Sequence, residues 1–178
     1  MSILKFLGLD FEKVSQTHPS AETDTVRKIT AELDQIEPQR AKFIAAFAYI
    51  LSRAARADLK ISPDEVRMME RIVMKIGGLP EEQAVLVVQM AKTQNILFGA
   101  TENYLVTREF NSIATFEEKL QLLECLFAIS AADDSISTVE DNEISQVAKE
   151  LLIEHKDFIA IRSTFRDHLA VLKNSREL

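Results

Sequence analysis

Apolar residues recur at a helical spacing along most of the chain. In the segment 38–57, Phe43, Phe47, Ile50 and Ala54 follow a period of about 3.6 residues. Such a stripe occupies one side of a helix, so it predicts a helix with a buried face. The 178 residues include only four glycines and four prolines, which leaves few of the turn residues that connect β-strands. Together these features predict an all-α fold.

Helix start and stop signals divide the chain into elements. Pro38 is placed as a first-turn proline, and Ser62 and Thr115 are each followed three residues later by glutamate, the pattern of a capping box. Gly77-Gly78 ends the helix that follows Ser62. The pattern predicts about seven or eight helices. They include continuous helices near 139–153 and 156–172, while segment 92–114 is predicted to be a connector with at most one helix.

A short motif occurs twice. Segment 57–62, ADLKIS, is repeated 75 positions later as segment 132–137, ADDSIS. Glu65 then matches Glu143 only if the second copy carries three extra residues. We therefore predict one helical bundle built from two pseudo-repeated helical units. The predicted divisions are an N-terminal helical extension 1–37, repeat one 38–91, the connector 92–114, repeat two 115–172 and a tail 173–178, with 38–172 as the domain.

Composition argues against several classes of function. A net charge of −7 opposes binding to a phosphate backbone, so no nucleic-acid partner is expected. Cys125 is the only cysteine, which excludes an internal disulfide and suits a packing role among its apolar neighbours. The three histidines lack metal-binding spacing, and no glycine-rich phosphate loop or nucleophile elbow is present. These observations predict that the protein is not an enzyme.

The first residues, MSILKFLGLDFEKV, place four apolar side chains at helical spacing. They lack the apolar core and the cleavage site of a signal peptide. Their two lysines are balanced by Asp10 and Glu12, which gives no attraction to an anionic membrane. We expect this segment to dock on the protein's own core, and we expect any membrane association to occur only through a complex.

The duplicated motif resembles the TerB-like family, the tellurite-resistance protein B group of all-helical domains. The resemblance covers roughly residues 40 to 172, although Leu59 and Asp134 stand where the family usually has glycine. It implies a cytoplasmic bacterial protein linked to tellurite and chemical stress, without an established reaction, that acts as an interaction module with a protein partner. It also implies divalent-metal binding through acidic residues, which correspond here to Asp58, Glu65, Asp133 and Glu143.

The acidic turns have two interpretations. Carboxylate oxygens suit calcium or magnesium, so Asp58, Glu65, Asp133 and Glu143 are candidate metal ligands. The same residues could instead cap helix starts, where backbone N–H groups and the helix dipole favour negative charge. An EF-hand beginning at Asp133 fails because Thr138 and Ile144 occupy positions that require glycine and glutamate. Metal binding and capping therefore both stay open at this point.

The two repeats differ in charge. Residues 38–91 have a net charge of +2, whereas residues 115–172 have a net charge of −7. Arg67, Arg71 and Lys75 lie at four-residue spacing on one helix face, which suits either an acidic partner or simple solvation. The resemblance to the TerB-like family leads us to expect a non-enzymatic stress-response module that binds a protein partner and a divalent cation at paired acidic turns. The alternative is a metal-dependent hydrolase that acts on a phosphate-containing substrate.

Overall fold

The protein is all-helical over the residues that the computed structural model describes, which are 20–54, 62–93 and 103–173. These residues contain nine α-helical segments: α1 Ser20–Leu33, α2 Pro38–Ala54, α3 Pro63–Lys75, α4 Glu81–Lys92, α5 Asn103–Ile113, α6 Phe116–Ser130, α7 Thr138–Glu150, α8 His155–Thr164 and α9 Ala170–Lys173. Two 3₁₀ turns, Ala131–Asp133 and Arg166–His168, follow α6 and α8. The all-α prediction is confirmed. The N-terminal segment 1–14 and its predicted docking lie outside the described residues.

Capping boxes begin three of the helices. At the start of α3, the Ser62 hydroxyl accepts a hydrogen bond from the Glu65 N–H, and the Glu65 carboxylate accepts one from the Ser62 N–H. Thr115 and Glu118 form the same arrangement at the start of α6. Both boxes are at their predicted positions. Each satisfies backbone donors that a helix start leaves unpaired.

Helix α2 lies at the centre of the fold. It packs against α4, α5, α6 and α7. Phe43, Phe47 and Ile50 of its predicted apolar face are buried. The Phe43 ring lies 5.8 Å from Phe47 and 5.2 Å from Phe110 of α5, measured between ring centroids. Burial of a side chain of this size contributes about 1.5–3 kcal/mol to stability. The packing of α2 therefore joins the two halves of the chain around one core.

The segment 92–114 contributes to that core. Within it, helix α5 buries Val106, Thr107 and Phe110. The Asn111 side-chain amide also donates a hydrogen bond of 2.7 Å to the Glu150 carbonyl at the end of α7. The expectation of at most one helix agrees with the described residues of this segment. The helix is, however, an integral part of the packing and more than a connector.

The continuous helix predicted for 156–172 is wrong. Helix α8 ends at Thr164, a 3₁₀ turn follows, and Leu169 forms an isolated parallel bridge with Ile136. The Ile136 N–H donates to the His168 carbonyl at 2.7 Å, and the Ala170 N–H donates to the Ile136 carbonyl at 3.0 Å. Backbone groups that would extend the helix pair instead with the segment before α7. Periodicity could not reveal this pairing, because Phe165 and Leu169 keep a helical spacing across the break.

The end of α7 places a leucine in a left-handed conformation. Leu152 has a φ of 59°, while the Ile153 N–H donates to the Ala148 carbonyl and the Leu152 N–H donates to the Lys149 carbonyl. This is a Schellman motif, whose left-handed position is usually glycine. The Leu152 side chain is 77% exposed, so its burial offsets little of the backbone cost.

Replacement of Leu152 with glycine should therefore stabilise the protein. We expect the free energy of unfolding to rise by about 1 kcal/mol, because glycine adopts positive φ without the Cβ clash. Urea unfolding followed by circular dichroism measures this difference. Val139→Gly is the matched control, since Val139 is similarly exposed but lies in the first turn of α7, where glycine relieves no left-handed backbone and should not stabilise. A destabilised Leu152→Gly variant would show that the side chain has a structural role.

Candidate functional site

The four predicted metal ligands lie in different local environments. Asp58 is outside the described residues, and Asp133 is described only through its backbone, which ends the 3₁₀ turn after α6. Glu65 is exposed and belongs to the capping box of α3, where hydrogen bonds from the Ser62 backbone N–H and hydroxyl lower the pKa of its carboxyl. Glu143 accepts a hydrogen bond of 2.7 Å from Arg53 Nε. Two of the four therefore have structural hydrogen bonds.

The capping boxes also revise the alignment of the repeats. Ser137 caps α7 with the same φ of −67° and ψ of 160° as Ser62, and its partner is Glu140. Ser62 with Glu65 and Ser137 with Glu140 are both separated by the 75 positions that separate the two motifs. Glu140, and not Glu143, is thus the structural counterpart of Glu65. The three extra residues are not needed.

Glu143 belongs instead to a partly buried ion-pair network on Arg53. The guanidinium of Arg53 donates from Nε to Glu143 and from Nη1 and Nη2 to the two carboxylate oxygens of Glu150, at 2.6 and 3.2 Å. Arg53 is 4% exposed, and the Glu150 and Glu143 side chains are 14% and 27% exposed. These three residues are named the Arg53 network below. They join the last turn of α2 to one face of α7.

Further hydrogen bonds complete the surroundings of Glu150. Gln146 donates from Nε2 to the Glu150 carboxylate at 3.2 Å, and the fully buried Thr107 of α5 also hydrogen-bonds to it. Burial would raise the pKa of Glu150, but its bonds to Arg53 outweigh that effect and the pKa is lowered. Burial likewise would lower the pKa of Arg53, but Glu150 and Glu143 raise it. The ion pair is thus fully charged at neutral pH.

The remaining carboxylates in the first turn of α7 are also engaged. Glu140 completes the capping box with Ser137. Asp141 accepts two hydrogen bonds from Arg162 of α8, 2.8 Å from Nε and 2.6 Å from Nη2, and these bonds raise the pKa of Arg162. Such a two-point pair fixes orientation as well as distance. The negative charge of this segment therefore caps α7 and holds it against α2 and α8.

No cluster of three or more histidine, cysteine, aspartate or glutamate residues with metal-binding geometry occurs among the residues that the structure describes. The side chains of Asp58 and Asp133 are not among them. A cation at Asp58, Glu65, Asp133 and Glu143 therefore stays a prediction. At Glu143 a bound cation would have to compete with the guanidinium of Arg53, which already provides its positive charge.

A surface cleft of about 400 Å³ lies where the starts of α2 and α6 approach the end of α5. Its charged lining residues are Glu37, Arg40 and Glu118. Glu37 accepts hydrogen bonds from the Gln39 and Arg40 N–H groups, which lower the pKa of its carboxyl. Glu118 caps α6, and Arg40 donates twice to Gln83 and stacks over Phe43 at 4.6 Å. These polar groups hold helix ends together, and Arg40 also pairs with Glu118 at 3.6 Å.

Cys125 packs inside the core. Its thiol approaches the Ile72 carbonyl at 3.8 Å, and burial raises the pKa of the thiol far above its ordinary value. The reactive thiolate is therefore disfavoured. His155 begins α8, and His168 ends the 3₁₀ turn. The interpretation of Cys125 as a packing residue is confirmed.

Sequence reasoning missed Arg53, Glu150 and the pair of Asp141 with Arg162. One signal was present, because Arg53 lies three residues after Ile50 on the helix that carries the core stripe. A cation in that position requires a buried carboxylate partner. The partner could not be identified, since Glu143 and Glu150 lie 90 and 97 positions further along the chain.

Comparison with known proteins places this arrangement in a family. The family model described as tellurite resistance protein TerB matches residues 44–163. A search of curated proteins and a search of solved structures each returned no match. None of the helices in the described ranges combines the length and apolar character needed to cross a membrane. The matched span contains both copies of the repeated motif and the whole Arg53 network. The chain therefore belongs to the TerB family, which is associated with tellurite resistance.

Proposed function

We propose that the chain is a non-enzymatic stress-response module that binds a protein partner in the cytoplasm of a bacterial cell. The observation that carries this proposal is the engagement of the acidic segment. Glu140, Asp141, Glu143 and Glu150 form caps or ion pairs within the protein. A hydrolytic site would require carboxylates that converge on substrate or metal. Here Asp141, Glu143 and Glu150 pair with guanidinium groups of the chain itself. Glu140 caps α7.

The proposal includes a divalent cation, calcium or magnesium, at the acidic turns. Its ligands would be Asp58 and Asp133, together with Glu65 and Glu143 if these exchange their present partners. Oxygen ligands of this type suit both ions. A cation at such turns would adjust the presentation of neighbouring surfaces to the partner, and it would take no part in a reaction.

Calorimetric titration and a turnover assay test this function together. We expect calcium or magnesium to bind the chelator-stripped protein saturably, and we expect Asp58→Asn combined with Asp133→Asn to abolish that binding. The matched control is Asp24→Asn with Asp34→Asn, two exposed aspartates of α1 and its end, which should leave binding unchanged. Absence of binding at millimolar ion would remove the cation from the proposal.

The hydrolase alternative makes a different prediction. It requires hydrolysis of p-nitrophenyl phosphate that depends on magnesium or manganese and is lost in the Asp58→Asn, Asp133→Asn variant. We expect no turnover above that of the metal ion in buffer. Metal-dependent turnover that is sensitive to this variant would overturn the non-enzymatic proposal.

A further inference from the structure

The outer face of α3 differs from the other charged surfaces of the protein. By helix geometry, Arg67, Arg71 and Lys75 share about one third of the circumference with the exposed methionines Met68 and Met74. The opposite side buries Met69 and Val73 in the core. These five residues, 67, 68, 71, 74 and 75, are called the α3 face below. The helix thus has one face for the fold and another that is open to solvent.

The cations of this face form few ion pairs within the protein. Arg40, Lys42, Arg53 and Arg162 each pair with a carboxylate of another helix or of a helix end. In the described part of the chain, Arg71 and Lys75 form no such pair. Arg67 pairs only with Asp64 one turn away, and both side chains are well exposed. An exposed pair of this kind contributes at most about 1 kcal/mol, so Arg67 can exchange its partner at small cost.

The methionines supply the apolar part of a binding surface. Met68 is 42% exposed and Met74 is 36% exposed. Methionine side chains are flexible and polarizable, which allows them to adapt to a partner of variable shape. Because they flank the cationic row, a partner would place carboxylates over the row and apolar side chains on either side of it.

We propose that the α3 face is the docking surface for an acidic amphipathic helix of a partner protein. The proposal rests on the proposed function as an interaction module and names the surface and the chemistry of its partner. The row from Arg67 to Lys75 spans about 12 Å along the helix axis. Carboxylates at positions i, i+4 and i+8 of a partner helix match that length and spacing. The partner helix lies along α3 and buries leucine or methionine side chains against Met68 and Met74.

The charge distribution favours a short acidic helix over an extended polyanion. A membrane surface or a nucleic acid would also approach the rest of the molecule, and the whole chain has a net charge of −7. That approach is opposed by repulsion. A helix confined to the α3 face meets the three cations and avoids most of that repulsion. On the face itself, Asp64 lies at the N-terminal end, and Glu70 lies on its flank.

Binding of a synthetic acidic peptide to the protein, and to variants in which cations of the protein are replaced by glutamate, tests the proposal. The probe is a fluorescent 16-residue helical peptide with glutamate at i, i+4 and i+8 and leucine beside them. Its binding to the protein is measured by fluorescence anisotropy. We expect saturable binding that Arg71→Glu with Lys75→Glu weakens at least tenfold. The control Arg27→Glu with Lys28→Glu makes the same charge change on exposed positions of α1 and should alter binding less than twofold.

Charge exchange separates recognition from misfolding. A peptide with lysine in place of glutamate should bind the Arg71→Glu, Lys75→Glu variant better than it binds the original chain. Several outcomes would overturn the proposal: no saturable binding of the glutamate peptide, equal binding by both variants, equal binding of a glutamine peptide, or stronger binding to phosphatidylserine vesicles than to the peptide. These readouts are independent of phosphatase turnover, so the surface and the non-enzymatic function can fail separately.

Discussion

Replacement of Arg53 with methionine should lower the free energy of unfolding by about 2–3 kcal/mol, less than for a fully buried ion pair because its two carboxylate partners are partly exposed. The variant leaves the Glu143 and Glu150 carboxylates close together on α7 without the cation that they share. Methionine preserves much of the length and apolar character of the arginine stem, so lost packing contributes little. Urea unfolding at pH 7 measures the difference.

A control variant and a second measurement test whether the loss of stability comes from the ion pair. Arg27→Met removes an exposed arginine whose only described pair is with Asp24 one turn away, and it should change stability by less than about 0.5 kcal/mol. Acid sensitivity is the second readout. Because the pKa of Glu150 is lowered in the folded protein, its contribution is present above about pH 4.5 and is lost as the pH falls through the folded-state pKa. Arg53→Met should weaken that acid dependence, and an unchanged dependence would contradict the role given to the pair.

Replacement of Gly77 with alanine should lower the free energy of unfolding by about 1–3 kcal/mol through overpacking. A Cβ at this position would lie 2.5 Å from the Val73 carbonyl oxygen, 3.2 Å from Phe47 and 3.3 Å from the Cys125 sulfur. The carbonyl belongs to the backbone of α3 and cannot rotate away. The end of α3 therefore needs a residue without a side chain in order to approach α2 and α6.

Gly78 provides the comparison for Gly77. Its φ is 67°, but a Cβ there would meet only the Gln121 side chain at ordinary contact distances. Gly78→Ala should cost about 1 kcal/mol from the left-handed backbone alone. If Gly77→Ala costs less than Gly78→Ala, close approach is not the reason for glycine at position 77. Adding Cys125→Ala should recover part of the Gly77→Ala loss, but not all of it, because the clash with Val73 remains.

Local signals predicted most of the secondary structure. The starts at Ser62 and Thr115 were correct because a capping box is formed within four residues and needs no distant partner. The buried stripe of α2 followed from periodicity alone. By contrast, the break at Thr164 depends on a bridge between Ile136 and Leu169. No local sequence pattern predicts such a contact, since it joins segments that are far apart along the chain.

The candidate site was less predictable for the same reason. Negative charge was evident between Asp133 and Glu143, but its use depends on where Arg53 and Arg162 lie in space. The carboxylates that bind a metal ion and those that bind arginine come from the same residue types, aspartate and glutamate, so the sequence does not distinguish the two uses. Only the fold, which brings the last turn of α2 against α7, distinguishes Glu143 as a partner of Arg53.

The most direct test of the account is a double-mutant cycle between Arg53→Met and Glu150→Gln, measured by urea unfolding. The cycle is measured with and without calcium or magnesium at about 5 mM, a concentration at which weak sites fill. The central claim is that the acidic residues of α7 hold the fold together. It predicts a coupling energy of about 2–3 kcal/mol that the ions do not change. A coupling near zero would contradict the claim. A coupling that disappears when the ions are added would also contradict it, and would show that a cation displaces Arg53 from Glu150.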